Sequence, residues 1–417
     1  MEKNSLDRIL AELNVEVKNS KTEIRELEKD LIGFENSIIK VLSTIIIEAI
    51  KENASDIHIE PYEEHTRIRY RIDGFLKEIK RLQRNITSNL ISRLKIMSNL
   101  DIAEKRIPQD GRFRSRVENR DIDFRVSIIP TIYGEKAVLR ILDTKNFSSK
   151  LEELGFNEIN YKKILSAIKK SYGMIIIVGP TGSGKTTTLY SILNYLNKIE
   201  VNILTAEDPI EYEVKGINQV QCRNEINLGF SNLLRNFLRQ DPDIIMIGEI
   251  RDKETGEMAL KASLTGHLIL STLHTQNVFT AISRLINLGL ESHLIATSIL
   301  LIQSQRLVRK LCPHCKIEDE QALEKIKELK LDETIYQNKK FYKSSGCEEC
   351  NSGYRGRIVF EEVLVIDDEI RKMIEQKRTA LEISRYAEKI NINSLQKNGV
   401  ERALEGITSL DEIIRVC

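Results

Sequence analysis

"MIIIVGPTGSGKTTT", residues Met174 to Thr188, joins a β-branched apolar run to a glycine-rich turn and then to a helix-compatible stretch. Gly179, Gly184, Lys185 and Thr186 stand at the spacing G-x-x-x-x-G-K-[ST], and a strand before and a helix after are the context that this motif requires. Glycines let the backbone curl until several N–H groups point inward at one anion. The helix start then adds its dipole. Gly179, Pro180, Thr181, Gly182, Ser183, Gly184, Lys185 and Thr186 are therefore the candidate phosphate-binding residues. Lys185 offers a cation to the terminal phosphates, and the Thr186 hydroxyl a ligand for Mg2+. The stretch predicts an ATP site.

From Tyr161 onward "MIIIV", "VNILTAED", "DIIMIGEI" and "LILSTLH" are strand candidates separated by helical patterns, which predicts an α/β domain built on a parallel sheet. That domain is expected over 150–417, with a cysteine-bracketed lobe at 311–351 and a helical tail at 363–417. Upstream, the alternation "RIRYRI", then Asp73-Gly74, then "FLKEI" reads as a hairpin with a two-residue turn. Helices are expected near Ser37 to Lys51 and Leu90 to Leu100. Together these predict a smaller α+β domain over 36–145, followed by the polar linker "LDTKNFSSKLEELGF". Before it, Leu6, Leu10, Leu13, Val17, Ile24, Leu27 and Leu31 fall at 4,3 steps, with polar Ser20 filling the one gap. Residues 1–35 are thus expected to form an N-terminal helical segment, an amphipathic helix or short coiled coil. Alternatively Ser20 caps a second helix, with Glu23 completing the box.

Composition narrows the partners. Lys and Arg number 63 against 62 Asp and Glu, so no bulk field favours nucleic acid or an anionic membrane. The run Arg112, Arg114, Arg116, Arg120 and Arg125 resembles a nucleic-acid patch, but aromatic residues for base stacking are sparse around it. The N-terminus lacks the apolar stretch of a signal peptide, and no run reaches about 18 apolar residues. A cytoplasmic protein, or one peripheral to a membrane through a partner, is the expectation.

Hydrolysis needs a carboxylate near the γ-phosphate to orient and deprotonate water. Two strand ends supply candidates: Glu249 after "DIIMIG", and Glu207 with Asp208 in "TAEDPIEY". The cysteines "CPHC" (Cys312, Cys315) and "CEEC" (Cys347, Cys350) form two C-x-x-C knuckles, a pattern suited to a four-thiolate Zn2+ site. Cys222 and Cys417 have no partner in spacing.

"LRQDPDIIMIGEIRD" closely resembles the signature of the type II secretion and type IV pilus assembly ATPases. In that family Gly-Glu, here Gly248-Glu249, is the normal form of the second nucleotide motif. "ASDIHIEP", "RIDG", "QDGRF", "TIYGEKAVLRIL", "TAEDPIEY" and "TGHLILSTLHT" look like family blocks in family order, from about Ser37 to the C-terminus. The resemblance implies a RecA-like P-loop ATPase domain preceded by a PAS-like domain. It makes Glu249 the general base and gives Glu207 a part in positioning water or Mg2+. His274 becomes the sensor of the γ-phosphate, with His267 a less certain partner. Arg125, Arg140, Arg235 and Arg239 match arginines placed around the phosphates, some reaching a neighbour's nucleotide. The family also implies a homo-hexamer acting on an inner-membrane platform protein, with no obligate nucleic acid. Residues 1–35 lie outside the resemblance and read either as a handle for a cytoplasmic docking protein or as a helix folded back on its own domain. Retraction motors of the family generally lack the four cysteines, so an assembly or secretion motor is expected.

Overall fold

The computed structural model describes residues 24–117, 120–143 and 150–417. Most of the leucine spacing that begins at Leu6, and the Ser20–Glu23 box, lie outside the described residues; helix is present from Ile24. The chain divides into two compact units, Met1–Thr144 and Lys145–Cys417.

In the first unit helix α1 (Ile24–Lys51) precedes β1 (Ala54–Pro61), β2 (His65–Ile72) and β3 (Phe75–Gln83). Helix α2 (Thr87–Met97) follows, then β4 (Gln109–Val117), β5 (Arg120–Thr131) and β6 (Gly134–Asp143). The turn between β2 and β3 has positive φ at both Asp73 and Gly74, the geometry a two-residue hairpin needs to match strand twist. All neighbours are antiparallel in the order β3-β2-β1-β6-β5-β4. On β2 the residues alternate, with Thr66, Ile68, Tyr70 and Ile72 buried. Val41, Leu42, Ile45 and Ala49 of α1, at steps of three and four, pack with Leu90 and Leu94 of α2 on that apolar face. Its other face carries the charged residues.

The second unit holds α3 (Glu158–Ile168), β7 (Gly173–Val178), α4 (Lys185–Leu196), β8 (Ile203–Glu207), β9 (Asn218–Gln221), α5 (Phe230–Phe237) and β10 (Ile244–Ile247). Next come α6 (Lys253–Leu264), β11 (Leu268–Leu273), α7 (Val278–Asn287), α8 (Ser292–Ser298) and β12 (Ile299–Leu311). The sheet runs β15-β12-β7-β11-β10-β8-β9, where β15 is Tyr354–Val365. Every pair is parallel except β12 with β15, which is antiparallel. The sheet is therefore mixed, where the sequence predicted a parallel one.

β7 is buried at every position because helices cover both faces. Met174, Ile176 and Val178 pack into one core layer, Ile175 and Ile177 into the other. Two short strands, β13 (Ile317–Glu318) and β14 (Tyr342–Lys343), pair inside the cysteine lobe. The tail segment opens on the last residues of β15, and helices start only at Asp368. Phe341 and Ile326 of the lobe share a core with Val308, Phe360, Val400 and Ile413. Among the described residues no helix is long and apolar enough to cross a membrane.

Candidate active site

At the C-terminal edge of the second sheet, the chain leaves β7 through Gly179–Gly184 and enters α4. Gly184 caps that helix with φ +87 and no side-chain cap bond, so the first N–H groups of α4 stay available to an anion. Gly179 has φ +150, and a Cβ there would lie 2.7 Å from the Gln305 carbonyl oxygen. Only glycine fits that close approach. Pro180, Thr181, Gly182 and Thr186 are exposed, while Ser183 and Lys185 are buried. Ser183 Oγ is buried with no hydrogen-bond partner, leaving a donor for a ligand. Lys185 Nζ donates to the carbonyls of Gly179 at 2.8 Å and Pro180 at 3.1 Å. Burial pulls the amine down to about 8, against the opposing charge of Glu249. Loop and helix start thus form a cradle of donors suited to a phosphate chain.

Parallel pairing brings the ends of β8, β10 and β11 side by side. Gly248 N–H donates to the Ala206 carbonyl at 2.8 Å, and the Thr272 hydroxyl to the Gly248 carbonyl at 2.7 Å. These bonds fix the turn that presents Glu249. His274 leaves the end of β11 with Nε2 3.1 Å from Glu249 Oε2. Arg251 grips Oε1 of the same carboxylate and reaches Asp208 Oδ2 at 3.5 Å.

Glu207 is differently placed. It is 3 % exposed and accepts from the Thr205 hydroxyl at 2.6 Å, the Gln219 amide at 3.0 Å and the Tyr190 hydroxyl. Tyr190 lies on α4, so this carboxylate ties β8 to the helix that begins at Lys185. His267 stands at the opposite end of β11 from His274, roughly 20 Å along the strand, its Nδ1 3.0 Å from the Ala262 carbonyl.

The structure brings Arg125 and Arg140 together, directly opposite each other on β5 and β6. Arg112 faces Arg125 from β4, and Asp56 faces Arg140 from β1. Arg140 Nε donates to Asp56 Oδ1 at 3.0 Å. Three guanidiniums in a cross-strand row repel one another, and they line a cavity of about 640 Å³ in the first unit. That row suits an anion. Arg235, on α5, pairs with Glu254 and Asn232. Arg239 donates to the Arg235 carbonyl at 3.1 Å and to the Asn236 side chain. These partners belong to α5, α6 and their flanks, and none is a residue of the Gly179–Thr186 loop.

The four cysteine sulfurs converge, all within 4.8 Å of one another. Cys312–Cys347 and Cys315–Cys350 are each 3.8 Å apart, and Cys347–Cys350 is 3.5 Å. A tetrahedral Zn2+ with bonds of about 2.3 Å needs sulfur separations of about 3.8 Å, so the cluster fits that metal. Backbone N–H groups of Cys347 and Gly353 donate to Cys350 Sγ at 3.3 and 3.2 Å, which favours a thiolate.

Residues 34–415 match the family described as "Type II/IV secretion system protein". The chain belongs to this family. Its catalytic class is ATP hydrolysis. The "Type IV pilus assembly ATPase PilB" of Myxococcus xanthus is 43% identical over 98% of this chain and 73% of its own length. The "Type II secretion system protein E" of Dickeya dadantii is 48% identical over 93% of this chain and 77% of its own length. A solved structure, "Crystal Structure of the Pilus Retraction Motor PilT and Bound ADP", is 26% identical with a TM-score of 0.61. It covers 89% of this chain and 96% of that one.

Arg251 and Arg112 are not among the residues that the motifs single out. A signal for the first was present: it stands two residues after the candidate base, within reach of the same carboxylate. Arg112 was read only as one of a basic run, because strand register, not spacing, sets it beside Arg125.

Proposed function

We propose that this protein is a hexameric motor that hydrolyses ATP to power assembly of type IV pili or type II secretion pseudopili. It would act in the cytoplasm, at the inner membrane, through a platform protein, with residues 1–35 available to a docking protein. In this reading 150–417 is a RecA-like P-loop ATPase domain and 36–145 a PAS-like one. The observation that carries it is the pairing of Glu249 with His274 at adjacent strand ends, on the edge where Lys185 leaves the glycine loop.

Gly179–Thr186 hold the phosphates, with Lys185 on the terminal ones. The exposed Thr186 hydroxyl would hold Mg2+, which would supply neutralisation of phosphate charge. Glu249 takes the proton of the attacking water as the bond between the γ-phosphorus and the ADP oxygen breaks, giving ADP and phosphate. His274 holds the other carboxylate oxygen and feels the γ-phosphate. Glu207 positions water or Mg2+ indirectly, by fixing the helix that carries Thr186. Arg125, Arg140, Arg235 and Arg239 answer to phosphates, of the same or a neighbouring subunit. Cys312, Cys315, Cys347 and Cys350 would hold Zn2+, which would staple the two ends of the lobe together.

A retraction motor shares this fold, and the four-cysteine cluster favours assembly or secretion over it. The test is the native mass of Glu249→Gln with and without ATP–Mg2+, beside the wild-type hydrolysis rate. A six-subunit ring that persists in ATP while hydrolysis is lost supports the motor. A monomer in ATP, or an unchanged rate, removes it.

A further inference from the structure

The strand behind the glycine loop carries an unusual sequence for a sheet interior. Gln303, Ser304 and Gln305 of β12 are no more than 1 % exposed. A buried amide must find partners for both its ends, and Gln305 finds them on the loop, on α4 and on its own strand. Its Nε2 donates to the Ser183 carbonyl at 2.8 Å. Its Oε1 accepts from the Thr188 hydroxyl and from Gln303 Nε2, each at 3.0 Å. The amide orientation is settled by chemistry, since a carbonyl can only accept and Nε2 must therefore face Ser183. Both glycine ends of the motif also press on this residue. A Cβ on Gly179 would meet its carbonyl oxygen at 2.7 Å, and one on Gly184 its Nε2 at 3.2 Å.

This contact sets the direction of a loop N–H. In a trans peptide the C=O and the following N–H point in opposite directions. Holding the Ser183 carbonyl toward β12 therefore turns the Gly184 N–H away from β12. The Thr188 bond fixes the first turn of α4 to the same amide, so loop and helix start are registered together.

We propose that Gln305 is a positioning residue for nucleotide binding: it holds the Ser183–Gly184 peptide in the orientation that gives its N–H to the phosphates. The proposal rests on the reading of Gly179–Thr186 as the nucleotide cradle. Loop N–H groups of such a cradle serve the α- and β-phosphates, which ATP and ADP share. Loss of the amide must therefore weaken both nucleotides alike and leave the chemical step nearly untouched. Its sequence position, about 120 residues beyond the loop, gives no hint of this.

The experiment compares wild type with Gln305→Met, which keeps the volume and removes the donor, and with Thr188→Val, which frees the amide to rotate. Dissociation constants for ATP and ADP are measured by titration, with KM and kcat for ATP, and melting temperature and zinc content as checks on the fold. The expected result for Gln305→Met is a roughly tenfold rise in both dissociation constants and in KM, with kcat within about threefold, the scale of one buried hydrogen bond. Thr188→Val should give a smaller rise of the same pattern. Unchanged affinities in a folded variant, or a loss confined to kcat, would overturn the proposal. If Gln305→Met does not fold, Thr188→Val decides by the same pattern. Wild type that binds no ATP would instead overturn the nucleotide reading itself.

Discussion

Two carboxylates end neighbouring strands of one sheet, and their surroundings differ in every respect that matters for chemistry. At the end of β10, Glu249 meets a histidine and an arginine whose side chains are each more than half exposed. Partners so placed can let go. At the end of β8, Glu207 is locked among Tyr190, Thr205 and Gln219 in the interior. Both stand where strand ends meet the ligand edge, so position alone does not separate them. The difference lies in whether the bonds around each carboxylate can open. In the proposed function the first activates water, while the bonds of the second hold a helix.

The strongest test of that division is Glu249→Gln. It should lower kcat roughly 10²–10⁴-fold while the melting temperature stays near wild type, because the new amide keeps the shape at a half-open site. Glu207→Ala should do the reverse. Three buried donors would lose their acceptor, at a cost of roughly 3–5 kcal/mol in denaturant unfolding. What activity survives should be limited by the KM for ATP, through a displaced α4. If Glu207→Ala instead keeps its stability and loses kcat, the division between the two strand ends collapses.

A third carboxylate marks the far extreme of burial. Glu361 on β15 accepts from the Asn157 backbone at 3.1 Å and the Asn160 amide at 3.0 Å, and burial raises it from 4.5 to about 7. Below the ordinary value both folded and unfolded chains hold the proton, and the group has no effect. Between about 4.5 and 7 the unfolded chain gives it up first, so stability falls as pH rises; above 7 the loss is complete. Glu361→Gln should be more stable than wild type at pH 8 by roughly 3 kcal/mol, and equal to it near pH 4. Glu362, raised to about 7 by its own burial, should keep a residual slope in the variant. A pH-independent difference between the two proteins would refute the burial argument.

The sequence carried much of this architecture in its plainest signals. The strands β7, β8, β10 and β11 are apolar runs, and Asp73-Gly74 marks its hairpin. Gly184-Lys185 announces the phosphate cradle, and the four cysteines their cluster. What escaped is the polar interior. β12 and β15 bury Gln303, Gln305, Glu361 and Glu362, residues that interrupt the apolar pattern and so hide a strand from any reading by periodicity. Gln305 and Glu361 are polar because they serve contacts made across the fold, with the glycine loop and with Asn157 and Asn160. Spacing is equally silent on the Tyr190 partner of Glu207, which lies on another element, and on the row Arg112–Arg125–Arg140, which exists only through strand register.

The smallest effect expected is the most informative about how Glu249 is held. Arg251 occupies one of its oxygens and His274 the other; together they hold the carboxylate of the proposed base in one orientation, and each oxygen keeps a second lone pair for a proton. The Arg251 side chain is 56 % exposed, and an exposed ion pair contributes only about 0–1 kcal/mol to stability. Arg251→Ala should therefore leave the unfolding free energy within about 1 kcal/mol of wild type. Its effect on kcat should be larger than that: a roughly tenfold fall, the scale of one charge-assisted hydrogen bond of about 1.5 kcal/mol. Arg251→Lys should recover part of it, since an ammonium restores charge without the two-pronged grip. A kcat loss as deep as that of Glu249→Gln would make the arginine part of the chemistry itself. An unchanged kcat would leave orientation of the base to His274 alone.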